Sequence, residues 1–488
     1  MFGLPTQTEI INNIIKEGAA SSMDDLQFIE EEIRRWKLSK ERIEQVDGER
    51  YYAGDHDILY YKRTAIGPSG ELEEVKNIPN RHDIDNQYAV AIDKKTNYFL
   101  GKPVAIESDN EVYCQLLQDI MNRKFMKKLK NLCRHSFNGG IGWLYPSVDK
   151  DGNIVFSVFP AYEVLPEWAD KEHETLDFLI RCYPVFEYKG REPRMTEYVE
   201  VYRQDGVYRY VFNDAKRLIP DVLHGEYSPY LMIGGKAYQW DRVPMVGFKY
   251  NDGEVPVIRR TKALQDAINE MLSMFHNNML EDNRNTILVV RNYDGQELGV
   301  FRHNLLTYGA IKVRGGKECG DGGVDTLQIE VNAENYEKIL ELLKMALIEN
   351  ARSFDGKVLK SGQPNQMNIL SVYNEIDIDT NEIETEYQAA MEELMYFIDT
   401  YLQLTGKGDF RSEPVTFIFN RDMLINESEI LNTLKDLGVK ISQKTLLKQV
   451  PWIDDVDAEM ESVKQEQEDA MDVYGESFTA PIEDDDEQ

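Results

Sequence analysis

Apolar residues recur at helical spacing in the first third of the chain. The pattern covers 1–50 and returns within 83–100, where Gly101 interrupts it, and again within 122–135. Charged residues occupy the positions between the apolar ones. These segments therefore predict amphipathic helices with one face toward a core.

The pattern changes to a period of two between residues 141 and 250. Apolar runs there are separated by turn sequences rich in Asp and Gly, at 149–152 and at 205–206. Strict alternation around such turns is typical of half-buried strands joined in antiparallel hairpins. The segment is predicted to form a sheet.

Helical spacing then returns in two long segments. The first predicts a rod of about six turns at a rise of about 1.5 Å per residue, with an apolar stripe of Ile258, Leu264, Ala267, Ile268, Met271, Leu272, Phe275 and Met279. Asn332 can cap the second rod, whose predicted inner face is Tyr336, Ile339, Leu340, Leu343 and Leu347. Between the rods, strands at 286–291 and 325–331 around a glycine-rich loop at 315–323 predict a compact unit in which the chain reverses.

A polar segment at 353–368 follows the second rod and contains glycine and proline, which predicts a mobile loop. An amphipathic helix is expected at 383–404 and a strand at 415–420, before small helices that end near Pro451. Helices and antiparallel strands thus occupy separate stretches of the chain. This arrangement predicts an α+β fold.

The composition indicates a large globular protein. With 488 residues and 42% apolar content, the chain can bury a core and is expected to divide into roughly two to four units. The start has no signal-peptide pattern and no apolar run has the length of a membrane helix, so secretion and membrane insertion are not expected. The four cysteines form no CxxC pair, which predicts reduced thiols and synthesis in the cytoplasm.

The net charge of −32 is concentrated at the C-terminal end. Residues 452–488 contain fifteen Asp or Glu and one Lys, a net charge of −14, which leaves −18 for the body of the chain. Tight binding of nucleic acid requires clustered Lys and Arg, so any contact with DNA is expected to be weak or local. The alternative is that the acidic surface serves only solubility.

One predicted helix, at 122–135, has a basic face formed by Arg123, Lys124, Lys127, Lys128, Lys130 and Arg134. The favoured interpretation is a solvated face that pairs with the abundant carboxylates of the chain. Contact with DNA or a protein partner is the alternative.

Motifs of known enzyme chemistry are missing from the sequence. It contains no GxxxxGK[ST] loop for polyphosphate, no HExxH zinc motif and no GxSxG nucleophile. The run at 377–381 imitates the start of a calcium loop, but Glu382 replaces the glycine of the turn. His82, Asp83 and Asp85 could hold a metal with distant acids, or could compensate a helix dipole. No catalytic residue, metal or cofactor is predicted.

Several short sequence strings occur along the chain in an order that is known from one protein family. They are YYAGDHDIL at 51–59, DKKTNYFLGKP at 93–103, GWLY at 142–145, GGVDTL at 322–327 and the closing segment 419–451. In this order, with a rod, a compact insertion and a second rod between them, they resemble the portal proteins, or head-tail connectors, of long-tailed phages of Gram-positive hosts. The resemblance covers most of the chain.

The resemblance implies a portal fold assembled as a ring, with wing, helical stem, clip and mostly helical crown. On this sequence the parts would be the wing (1–255), first stem helix (256–285), clip (286–331), second stem helix (332–352), tunnel loop (353–372), long wing helix with a returning strand (373–425), crown (426–470) and a disordered acidic tail (471–488).

The resemblance also implies where function would reside. The tunnel loop would face DNA with Gly356, Lys357, Lys360, Ser361, Gly362, Gln363, Pro364 and Asn365. The stem would contribute Lys338 and Lys344 as weak rings of counter-charge, although these lysines could equally form salt bridges between subunits. Contacts with terminase and adaptor proteins would fall in the clip, on Arg302, His303, Lys312, Arg314 and Lys317.

The implied function is a dodecameric conduit for double-stranded DNA at one capsid vertex. Its expected partners are terminase, the major capsid and scaffolding proteins and the head-completion adaptor proteins, with no membrane, and its expected location is the virion after assembly in the host cytoplasm. The protein would be structural and not an enzyme. Two alternatives remain: a metal-dependent phage nuclease that uses acids around His82 and Asp377, and a capsid or scaffold protein.

Overall fold

The computed structural model describes residues 25–66, 71–74, 79–213, 215–233, 236–281, 287–291, 315–316, 320–321, 323–327, 333–354 and 366–421, with 460 and 463–464. The chain divides into two compact units. One comprises Met1–Phe354 and Ile378–Arg421, and the other comprises Asp355–Asp377 and Asp422–Gln488. Residues 1–24, most of the predicted clip, all but three residues of the predicted crown and the predicted acidic tail lie outside the described residues.

The described helices begin where the sequence offers side-chain caps. Ser39, Asn86, Asn110 and Asn122 each accept a hydrogen bond from a backbone N–H of the first helical turn, which satisfies a donor that has no partner within the helix. The α-helices are α1 (Asp25–Lys37), α2 (Lys40–Tyr52), α3 (Gln87–Leu100), α4 (Glu111–Ile120), α5 (Arg123–Gly139), α6 (Ile258–Glu281), α7 (Ala333–Asn350) and α8 (Gln366–Leu404).

The described strands are all paired antiparallel. They are β1 (Thr64–Ile66), β2 (Leu72–Glu74), β3 (Ala105–Glu107), β4 (Ile141–Val148), β5 (Ile154–Pro160), β6 (Val164–Trp168), β7 (Leu176–Lys189), β8 (Glu192–Tyr202), β9 (Val207–Phe212), β10 (Leu218–Pro220), β11 (Tyr227–Ser228), β12 (Leu231–Ile233), β13 (Lys236–Tyr238), β14 (Val246–Lys249), β15 (Ile287–Arg291), β16 (Gly315–Gly316), β17 (Gly320–Asp321), β18 (Gly323–Leu327) and β19 (Thr416–Ile418). The predicted turns at 149–152 and 205–206 join β4 to β5 and β8 to β9.

Two of the sheets pack against helices. The larger runs in the order β10-β9-β8-β7-β6, with β11 beside β9, and α1 covers one of its faces through Ile29, Ile33 and Trp36. The smaller, β14-β4-β5, contributes Leu144, Phe156, Val246 and Phe248 to the main core with α3, α4, α5 and α8. Burial of these apolar faces is the main stabilising term of the fold.

Gly140 joins α5 to β4. It has a φ of 83°, and a Cβ there would lie 2.0 Å from the carbonyl oxygen of Glu254, so only glycine fits this position. The end of α5 is therefore packed against residues 254–256, which precede α6.

The predicted limits of one helix were wrong. The sequence placed a helix at 383–404 and extended the loop to 372, whereas α8 begins at Gln366. The run at 377–381 imitates a calcium loop in sequence only, because Asp379 lies in the helix and its carboxylate is buried against cations. A paired acid does not interrupt a helix, and the pairing depends on residues distant in sequence.

Candidate functional site at the paired helices

Helices α6 and α7 lie side by side, as the two apolar stripes predicted. The ring of Phe275, near the end of α6, contacts that of Tyr336, near the start of α7, with centroids 5.1 Å apart. Ile268 of α6 and Leu347 of α7 belong to the main core. The pair is joined through the hairpin of β15 and β18, where Ile287 pairs with Leu327.

Among the described residues, a second apolar stripe on α7 is exposed. Ile339, Leu342 and Met345 are 45%, 64% and 54% exposed, and their spacing of three residues places them on one side of the helix. The sequence had assigned Ile339 to the inner face, which is wrong, because α7 turns Tyr336, Leu340, Leu343 and Leu347 inward instead. Apolar surface of this kind is typical of an interaction site.

Helix α6 carries a stripe of polar residues that are buried. Its members are Gln265, Asn269, Ser273 and Asn277. The Asn277 amide bonds both backbone groups of Arg81, at 2.8 and 3.2 Å, and the Ser273 hydroxyl accepts from the Asp83 N–H at 2.9 Å. The stripe thus supplies hydrogen-bond partners to the segment 79–86, which precedes α3.

The same set of contacts continues toward α3. Asn269 accepts from the Asp85 N–H at 3.1 Å, and Gln265 donates to the Asp85 carbonyl at 2.8 Å and accepts from the Tyr88 N–H at 2.9 Å. Asn269 also bonds the ring of His56, which is fully buried. This stripe was not predicted from the sequence, because polar residues at a spacing of four otherwise indicate a solvated face. The spacing itself was the available signal.

The metal ligands considered from the sequence have other partners. Asp83 pairs with His276 at 2.8 Å, Asp85 pairs with Lys344 at 2.6 Å, and the His82 ring bonds the Tyr61 carbonyl oxygen at 2.9 Å. Among the described residues no group of three or more His, Cys, Asp or Glu side chains could hold a metal ion.

The string at 51–59 that carried the family resemblance packs against α6. The Tyr51 hydroxyl bonds Asp266 and accepts from Lys262 at 2.8 Å, and Lys262 also pairs with Asp57. Burial lowers the pKa of His56, which favours the neutral ring between Asn269 and the Tyr51 carbonyl oxygen.

Both stem lysines proposed from the resemblance have partners within the chain. Lys338 pairs with Glu334 one turn away and is largely exposed, whereas Lys344 is half-buried against Asp85. The eight tunnel-loop residues and the five clip residues lie outside the described part of the chain. The assignment of these residues to DNA or partners stays a prediction.

The basic face of α5 is partly paired. Arg134 lies 3.3 Å from Asp93, and the Lys128 ammonium donates to the Phe156 carbonyl. Arg123, Lys124 and Lys127 are exposed. Pairing with the Asp93 carboxylate thus accounts for the end of this face at Arg134.

Comparison with known proteins gives a consistent result. The family described as phage portal protein, SPP1 Gp6-like, matches residues 29–472. The portal protein of Bacillus phage SPP1 is 29% identical over 96% of this chain and 92% of its own length. The portal protein of Clostridium phage phiCD119 is 25% identical over 85% of this chain and 91% of its own length.

A solved structure entitled "Neck of native GTA particle computed with C12 symmetry" aligns with 75% of this chain. The alignment covers 89% of that structure's chain, at 10% identity and a TM-score of 0.35.

Over the residues that the structure describes, no helix has the length and apolar character needed to cross a membrane.

Proposed function

The chain belongs to the SPP1 Gp6-like family of phage portal proteins, and from this premise we propose that it forms a dodecameric ring whose bore conducts double-stranded DNA at one capsid vertex. The family is structural and not enzymatic. In this assignment α6 and α7 are the stem, β15 and β18 belong to the clip, and the segment after Phe354 is the tunnel loop that faces DNA.

The uncovered apolar side of α7 is the observation that carries the proposal. Identical subunits that contact one another head to tail close into a ring when the rotation closes. Ile339, Leu342 and Met345 supply a surface for such a contact, and Met274 and Met279 expose further apolar surface on α6. Both stem lysines pair within the chain, but Lys344 is half-buried against Asp85 and Lys338 is largely exposed, which favours Lys338 as the more available cation of the stem.

The negative charge of the chain supports a bore through which DNA passes without being held. An acidic body repeated around a bore repels phosphates, so the duplex can slide. The clip would dock terminase during packaging and head-completion adaptor proteins afterwards, while the wing and crown would contact capsid and scaffolding proteins. The protein would assemble in the host cytoplasm and remain in the virion.

Ring formation is tested by Leu342→Glu, with Glu341→Gln as the control on the neighbouring exposed position. The charged residue should prevent closed rings in negative-stain images, because it would lie in the subunit contact, while the melting temperature of the monomer stays close to wild type. Closed rings formed by Leu342→Glu would contradict the assignment of this surface. A wild-type chain that stays monomeric at high concentration would contradict the ring itself.

The loop assignment has a separate test. Shortening 356–364 should leave rings intact and impair DNA packaging, because only the bore-facing segment changes. Loss of ring formation would contradict the loop assignment.

The metal-dependent nuclease is tested by incubating the purified chain with DNA and Mg²⁺ or Mn²⁺. Cleavage abolished by single carboxylate substitutions would replace the structural proposal.

A further inference from the structure

A groove of about 280 Å³ lies beside α6, on the side of this helix away from α7. Ser273 and Asn277 line it, and each is about 200° around the helix from Phe275, the residue that contacts α7. The other lining residues include Ile58, Tyr61, Arg63, Arg81, Glu270 and Met274. Tyr61 is 54% exposed and Met274 is 47% exposed. The groove is therefore open to solvent and partly apolar.

The exposed stripe of α7 lies on the other side of the helix pair. Tyr336 faces α6, and Met345 is about 180° around α7 from it. Leu342, one turn before Met345, is exposed with it. Groove and stripe thus occupy opposite sides of the pair formed by α6 and α7. In a head-to-tail contact between identical chains, one side of each chain meets the opposite side of the next.

Contacts between α6 and α7 show which of their residues share a height along the pair. Phe275, near the end of α6, contacts Tyr336, near the start of α7. Further along, Asp85 bonds both Asn269 of α6 and Lys344 of α7. The two helices therefore run antiparallel, and residue 274 lies at about the height of residue 338.

A rotation about the bore leaves heights along the bore unchanged. For rods that run along it, Met274 of one copy therefore comes level with the stretch of α7 in the next copy that contains Ile339 and Leu342. Side chains lean toward the N-terminus of their own helix, so Met274 and Leu342 lean toward each other on antiparallel rods. Both are exposed in the single chain, and this contact would cover them.

Opposite charges also share a height. Asn277 bonds both backbone groups of Arg81, which sets Arg81 level with the first turn of α7, where Glu334 lies. The exposed Arg81 side chain forms no ion pair within the described part of the chain. Glu334 is 74% exposed and pairs with Lys338, but such a surface pair is weak and a carboxylate can accept further donors. Glu270 of the groove lies about 10 Å along α6 from Asn277.

We propose that this groove in one copy receives α7 of the next copy, with Leu342 against Met274 and Glu334 against Arg81. The proposal rests on the proposed function, because it takes the copies to form a ring. It goes further by naming the surface that the exposed side of α7 meets. A second copy is the occupant, because the apolar positions and the charged positions of the same chain match at two separate heights.

Cysteines placed on separate chains test the contact. When Met274→Cys and Leu342→Cys chains are mixed and assembled, oxidation should give covalent dimers. Neither variant alone should give more dimer than the wild type, which controls for the native cysteines. Ala263→Cys mixed with Leu342→Cys should stay unlinked, because Ala263 lies about 16 Å along α6 from Met274. Dimers formed by Leu342→Cys alone would indicate a two-fold contact and would overturn the proposal.

Charge reversal tests the second part of the contact. Arg81→Glu should raise the protein concentration needed for half-maximal ring formation about tenfold, because it brings like charges together. Adding Glu334→Arg should restore assembly. Arg191→Glu, at an exposed arginine between β7 and β8, is the matched control and should leave assembly unchanged.

The outcomes separate the groove from the ring. Wild-type chains that form rings, while the mixed cysteine variants stay unlinked, would overturn the groove contact and leave the proposed function standing. A loss of assembly in Arg81→Glu that Glu334→Arg does not reverse would overturn the charge pair. A wild-type chain that forms no rings would overturn the proposed function itself.

Discussion

Gly48 of α2 lies in close contact with the end of α5. A Cβ at this position would lie 2.1 Å from the carbonyl oxygen of Asn138, a backbone atom that cannot move aside. Glycine is ordinarily unfavourable inside a helix relative to alanine. At this position the close approach of Asn138 outweighs the low helix propensity of glycine.

Gly48→Ala should therefore destabilise the protein by about 2 kcal/mol or more, the cost of overpacking a core. Gly253→Ala is the matched control, because its Cβ would meet no atom closer than 3.5 Å. Chemical denaturation of both variants gives the comparison. A Gly48→Ala protein as stable as wild type would contradict the close packing of the two helices.

Glu167 of β6 is a buried acid with one carboxylate oxygen that has no hydrogen-bond partner. Burial, with a smaller contribution from the nearby Glu32 carboxylate, raises its pKa to about 8. The folded state therefore holds this proton more tightly than the unfolded chain. The resulting stability is fully present below the ordinary glutamate pKa and is lost as the pH rises through about 8.

Between pH 6 and 9 the wild-type protein should lose about 2 kcal/mol through this group. Glu167→Gln cannot ionise, so its stability should fall less over that range, whatever its stability at pH 6. Thermal melting at both pH values measures the difference, with the exposed Glu172→Gln as control. Equal losses in wild type and Glu167→Gln would show that the group is already ionised at pH 6.

At the scale of elements, α6 has two distinct roles on its faces. Its apolar residues pack into the core, and its polar stripe holds segment 79–86 by hydrogen bonds to backbone groups. Buried polar side chains are stable only when their partners are in place. The stripe thus makes the position of this segment depend on α6.

Asn269→Ala should loosen that segment and cost about 2 kcal/mol, because the Asp85 N–H and the Nδ1 atom of His56 lose their bonds to Asn269. Hydrogen exchange in 79–88 should increase, whereas the neighbouring exposed Glu270→Ala should leave it unchanged. Unaltered exchange in Asn269→Ala would mean that the segment is held by its other contacts.

At the scale of the whole molecule, negative charge dominates. Removal of residues 453–488 would eliminate −14 and leave −18. Because nonspecific affinity for DNA comes from clustered cations that release counterions, the tail is not the sole cause of weak binding. The body itself should repel a duplex.

Full-length and truncated rings should both bind duplex DNA more weakly than about 10 µM at physiological salt. Band-shift measurements over a range of salt concentrations provide the test. Tight binding that appears only after truncation would instead show that the tail masks a cationic surface, and the exposed Arg123, Lys124 and Lys127 of α5 would be the first residues to replace.

The sequence alone determined the features that depend on neighbours along the chain. Periodicity located α6, α7 and the hairpins, and the turn at 149–152 follows from its own residues. The strings at 51–59, 93–103, 142–145, 322–327 and 419–451 indicated the family through their order, with two rods and a compact insertion between them. These predictions hold because hydrophobic spacing and turn conformations are local properties.

Tertiary structure decided which polar residues are buried and which apolar ones are not. Ile339 faces outward and Asp379 continues a helix because of Tyr336, Lys95 and Arg352, whose positions depend on packing between distant segments. The free energy of a buried charge or amide depends on partners that the fold supplies. Local sequence carries no record of those partners, so the polar stripe of α6 and the pairing of Asp379 with Lys95 and Arg352 became visible only in three dimensions.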